Sequence, residues 1–156
     1  MYALQGIDNK YLDRLEANKR DILKQIRADN LTQLYFEVFN KAIIKHGESF
    51  VEKDLGSFFA KLVHTFRPKD YCALDNPIKN YFGLKKESFF ISFLIISSEY
   101  KHWAIDNKIF MQTIKDKFRR ADLNQIINHN QLTDLKLLDL IFWSKANRIE
   151  KKAITE

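Results

Sequence analysis

Between Leu31 and Ile43 the apolar side chains recur at Leu31, Leu34, Tyr35, Val38, Phe39, Ala42 and Ile43. The intervals are i, i+3, i+4, i+7, i+8, i+11 and i+12. That period of 3.6 residues puts all seven on one face of a helix and on no single face of a strand. Gly47 follows, where a helix C′ residue is wanted. The spacing therefore predicts one helix from Leu31 to the neighbourhood of Gly47.

The same period governs the rest of the chain. Ile7, Tyr11, Leu15, Ile22 and Ile26 share a helical face that Asp8 or Asn9 can cap and that Asp29-Asn30 ends. Val51, Leu55, Phe58, Phe59, Leu62, Val63 and Phe66 form a third set, with Ser57 as an alternative start because Gly56-Ser57 interrupts it. Arg67 and Asn76 each precede a proline, which excludes both from the α region, so Asn76 is the expected N-cap and Pro77 the first helical residue of a short helix to Phe82. Glu87 or Ser88 opens a long helix through Trp103. Its first two turns are apolar nearly all round, which predicts a central position, with Phe93 and Ile96 in the core.

A helix from Lys108 to about Ala121 follows, with Phe110, Ile114 and Phe118 expected inward. A short helix is expected near Asp122 to Asn128. Thr133 is the expected N-cap of the last helix, with Leu132 and Leu137 as its hydrophobic staple and Leu138, Ile141, Phe142 and Ile149 along its face. From Lys151 onward the helix is expected to fray. No strand alternation longer than a few residues is present.

Four Gly and two Pro are too few for a strand-and-turn protein, and 46% hydrophobic residues, with 13 Phe, supply a core without metal or disulfides. The expectation is a single all-α domain over residues 1–156 with seven or eight helices. Cys72 is the only cysteine and has no internal disulfide partner; with no signal peptide at the start of the sequence, this points to a reducing, cytoplasmic setting. The longest apolar run, Phe89 to Ile96, is far short of the ~20 residues a membrane span needs.

Several chemistries lack their residues. His46, His64, His102 and His129 show no metal-ligand spacing, so no metal site is expected. No GxGxxG, P-loop or nucleophile-elbow pattern occurs, so no nucleotide cofactor is expected.

Two constellations remain. Asp75 precedes a helix start, where the partial positive charge of the helix end favours an ionised carboxylate. Such an anion can stabilise a developing cation or share in capping the helix. Lys108, Lys115 and Arg119, with Gln112, form a stripe that Arg120 extends, and Lys145, Arg148, Lys151 and Lys152 form a second cluster. The last 49 residues hold 10 basic and 6 acidic residues, so most of the net charge of +6 lies there. A stripe of this kind tracks phosphates or simply faces solvent.

The stretch Gly56 to Leu84, which contains AKLVHTFRPKDYCALDNPIKNYFGL, resembles the central part of helix-hairpin-helix DNA glycosylases and their non-catalytic or unassigned relatives. In that superfamily a helix leads through an extended segment into an apolar-apolar-Asp turn that opens the next helix. The resemblance covers about 30 residues. It implies a glycosylase-like helical core, with Asp75 in the place of the catalytic aspartate that stabilises the sugar cation or helps activate the nucleophile.

The sequence departs from the family elsewhere. Lys53-Asp54-Leu55-Gly56-Ser57 stands where the family has Leu-Pro-Gly-x-Gly, no lysine falls between Ser57 and Phe59, and no iron–sulfur cysteine set exists. The functional expectation is thus a DNA-associated protein with Asp75 at the pocket centre, with or without catalysis. The alternative is a non-enzymatic module that binds another protein. The first predicts a Tyr- or Trp-lined cleft beside Asp75; the second predicts Asp75 used as a cap, with an apolar patch elsewhere.

Overall fold

The computed structural model describes residues 7–46, 49–121 and 132–155, and the side chains of these except at 44–46 and 148–155. The chain is mostly helical, with eight α-helices and one two-stranded sheet among the described residues. It divides into two compact units, Met1–Arg67 and Pro68–Glu156.

The first unit begins with α1 (Asn9–Ala17) and α2 (Lys19–Arg27), so the expected continuous first helix is interrupted at Asn18. Asn18 Nδ2 donates to the Arg14 carbonyl at 2.8 Å and so takes up a carbonyl at the end of α1. Ile22 and Ile26 are buried as expected. Asp29, with φ of 64°, makes the left-handed turn after α2.

The helix expected from Leu31 onward is the main correction. Only Leu31–Leu34 is α-helical (α3); Tyr35–Phe39 is a π-helical segment, closed by an Asn40 N–H bond to the Tyr35 carbonyl at 2.9 Å. The extra residue per turn rotates the following chain out of helical register. Ala42–His46 then forms β1, paired antiparallel with β2 (Ser49–Lys53), with Ala42 opposite Lys53 and Ile44 opposite Val51. Ile43, Ile44 and Val51 are β-branched and lose little by being extended. Gly47, expected as a helix C′ residue, lies outside the described residues.

Val51, expected on a helix, is thus an exposed strand residue, and α4 runs Gly56–Phe66. Asp54 ties these pieces together. Its Oδ1 accepts the Tyr35 hydroxyl at 2.6 Å and the Gly56 N–H at 2.7 Å. Burial, followed by the hydrogen bond to Asp54 and its charge, pushes the Tyr35 phenol far above its usual range.

The second unit contains α5 (Asn76–Tyr81), α6 (Phe89–Asp106), α7 (Lys108–Ala121) and α8 (Asp134–Thr155). α8 packs on α5 and α6, and α7 packs on α6. α6 begins as expected: Ser88 Oγ accepts the Ile91 N–H at 3.2 Å, and Phe93 and Ile96 are buried. Ser97, inside α6, is buried and satisfied. Its hydroxyl accepts the Cys72 N–H at 3.0 Å and donates to Cys72 Sγ at 3.2 Å, which fixes the extended segment before α5 against α6.

Thr133 is the N-cap of α8, accepting the Lys136 N–H at 3.2 Å. The helix expected over Asp122 to Asn128 lies outside the described residues, as do the side chains of Arg148, Ile149, Lys151 and Lys152 and the fraying expected there. No described helix is long and apolar enough to cross a membrane.

Candidate nucleic-acid interface

Thr133 has a second bond that shapes the surface of this unit. Its hydroxyl donates to the Pro68 carbonyl at 2.8 Å, which places Lys69 beside the first turn of α8. α7 brings a row of cations to the same place. Lys115 Nζ lies 2.6 Å from Asp134 Oδ1, in the first turn of α8. Lys101 comes from α6, its ammonium 5.7 Å from the centre of the Tyr71 ring.

Two adjoining hollows result. One, of about 430 Å³, is lined by residues that include Lys69, Lys115, Arg119 and Asp134. The other, of about 440 Å³, is lined by residues that include Lys69, Lys101, Lys108 and Asp134. Lys69, Asp134 and Leu135 belong to both. Among the described residues, five cations, from the segment before α5, from α6 and from α7, thus line these hollows with a single carboxylate, Asp134. Like charges brought this close raise the local positive potential and attract anions.

α7 is rotated relative to expectation. Met111 is its buried residue, whereas Phe110 is 52% exposed. The Phe110 ring instead meets Trp103 edge to face at 5.7 Å. The basic stripe consequently borders the packed face of α7 instead of lying opposite it, and the Lys115 side chain is only 23% exposed. Arg119 also has an anionic neighbour, Asp116 Oδ1, at 3.4 Å.

The structure therefore brings Lys108, Lys115 and Arg119 into one concave surface. Arg120 is exposed and lines neither hollow. Lys145 sits elsewhere, its ammonium 5.7 Å from the Phe142 ring centre. Lys69, Lys101 and Asp134 join the site without any signal in local spacing, because each comes from a different element than the stripe.

Asp75 lines neither hollow. It, and not Asn76, is the N-cap of α5: its Oδ1 accepts the Ile78 N–H at 3.3 Å, and Asn76 and Pro77 are the first two helical residues. The correction follows from the backbone. Asp75 is extended at φ −133°, ψ 174°, and an extended residue whose carboxylate turns back onto the helix satisfies an otherwise orphan N–H.

Behind Asp75 lies a buried polar cluster. Asp139, on α8, is 4% exposed, and its Oδ2 accepts the Ala73 N–H at 2.6 Å. Burial raises the Asp139 carboxyl to about 7; the Ala73 N–H and Lys136 oppose the rise and the Asp75 charge adds to it. Burial, then the charge of Asp139, pushes the Cys72 thiol up to about 12, so this cysteine is a protonated core residue and not a ready nucleophile. Among the described residues no group of three or more His, Cys, Asp or Glu side chains is arranged to hold a metal. No family model, curated protein or solved structure matches this chain.

Proposed function

We propose that the protein binds the phosphate backbone of a nucleic acid through the basic concavity of its second unit. This is in keeping with the resemblance of Gly56 to Leu84 to the glycosylases and their non-catalytic relatives. The carrying observation is the convergence of Lys69, Lys101, Lys108, Lys115 and Arg119 on two hollows that share one wall. Cations from separate elements at a concave surface meet successive phosphates, whereas a stripe on one exposed helix serves solubility equally well. Asp75 caps α5 and lines neither hollow, which is the outcome expected of the protein-binding alternative, so the nucleic-acid reading rests on the basic concavity alone and assigns Asp75 no catalytic step.

The test is a DNA titration at several salt concentrations, comparing the wild type with a Lys108→Ala, Lys115→Ala, Arg119→Ala variant. Each lost phosphate contact lowers the salt slope by roughly 0.7–0.9, so the triple variant is expected to lose about 2–3. Absence of binding by the wild type at low salt, or an unchanged slope in the variant, overturns the proposal.

A further inference from the structure

A second surface of the same unit has a different chemistry. Ile91, Ile95 and Trp103 on α6 are 45%, 42% and 41% exposed. They lie on a row of i+4 steps whose remaining position is Glu99. From Ile91 to Trp103 the row is ~18 Å long, about three turns. Beside it runs a groove of about 350 Å³, walled by Ile95, Tyr100 and Trp103 of α6, by Phe82 after α5, and by Phe142 of α8.

Glu99 is the only charged side chain among the residues lining the groove, and it makes no ion pair or hydrogen bond among the described residues. Three features thus coincide: an apolar length matched to a short helix, an aromatic wall, and one unpaired carboxylate midway along.

We propose that this groove docks an amphipathic helix of a partner protein, with a Lys or Arg on its apolar face to meet Glu99. The apolar row and the aromatic rings supply the burial that holds a helix in a groove. The carboxylate supplies selection. An acidic residue opposite it suffers like-charge repulsion in a partly dehydrated setting, while a basic one gains a partner there. The surface is separate from the basic concavity: the groove shares no lining residue with either hollow.

The probe is a synthetic amphipathic helical peptide with leucine anchors at i, i+3 and i+7 and a lysine at i+4, paired with a second peptide carrying glutamate at i+4. Binding is followed by Trp103 fluorescence in the full chain carrying Trp143→Phe, which removes the other tryptophan. The lysine peptide is expected to bind roughly tenfold more tightly than the glutamate peptide, a difference of about 1.4 kcal/mol. Glu99→Lys is expected to invert that order. Glu99 is exposed, so this variant should keep its fold, with circular dichroism as the check.

Failure of both peptides to bind at concentrations on the order of 1 mM overturns the proposal. So does an order of affinity that Glu99→Lys leaves unchanged. A Trp103 signal that changes with protein concentration alone also overturns it, by assigning the groove to a second copy of the chain.

Discussion

The Asp139 carboxylate accepts the backbone N–H of Ala73 at 2.6 Å, across 66 positions of sequence. The bond pins the extended segment before α5 to the first turns of α8. Only one carboxylate oxygen is served. Asp139 Oδ1 and the nearby Tyr100 hydroxyl are both buried without a hydrogen-bond partner among the described residues. An ionised Asp139 therefore leaves an acceptor unsatisfied, in keeping with a carboxyl raised to about 7.

The consequence for stability has a definite sign. The unfolded chain loses the Asp139 proton near the ordinary carboxylate value of about 4, while the folded chain keeps it until about pH 7. Stability from this group thus falls as pH rises from about 4 to about 7 and stays flat above, a loss of a few kcal/mol. Asp139→Asn keeps an acceptor for Ala73 and removes the titration. Its urea midpoint is expected to exceed that of the wild type at pH 8, with the advantage shrinking toward pH 5. Parallel midpoints at the two pH values would refute the assignment.

Asp75→Asn is expected to cost at most about 1 kcal/mol, because the amide oxygen can still accept the Ile78 N–H. Thermal melting checks this. A fall in Tm of more than about 8 °C would show that Asp75 holds more than a cap.

Phe93 is fully buried and its ring stacks on Tyr71 at 5.3 Å between centres. Phe93→Ala should lower the unfolding free energy by about 3–5 kcal/mol, and Ile96→Ala by about 2–5. Urea unfolding measures both. Unchanged midpoints would contradict the central place of α6.

Asp134 offers a test with the opposite sign to most substitutions. It is the one carboxylate among the described residues that line the basic concavity, and it is paired with Lys115. Asp134→Asn should release Lys115 to phosphate and remove a repulsion, so DNA affinity at low salt is expected to rise several-fold. Weaker binding would mean that the ion pair positions Lys115 and does not compete with the ligand.

The helical class, the core residues of α6, the start of α6 to within Glu87 or Ser88, and the cap at Thr133 were legible from local order, because period, capping chemistry and helix length are properties of neighbouring residues. The break after α3 was not. Leu31 to Ile43 carries an unbroken helical period, yet the chain leaves it through a π-turn at Tyr35–Phe39 and pairs Ala42–His46 with Ser49–Lys53. Strand pairing joins residues up to 11 apart and the Tyr35–Asp54 bond residues 19 apart in sequence, and they outweigh a periodicity that β-branched residues honour only weakly.

The candidate site divides in the same way. Lys108, Lys115 and Arg119 fall in one arc by spacing alone, so the sequence by itself determined that they share one face of α7. Tertiary packing decided that the arc borders a hollow, because Met111 and not Phe110 turned into the core. It also decided which strangers join them. Lys69 arrives through the Thr133 bond to Pro68, Lys101 by the docking of α6, and Asp134 at the start of α8. No local pattern encodes such meetings, since they depend on where three separate elements come to rest.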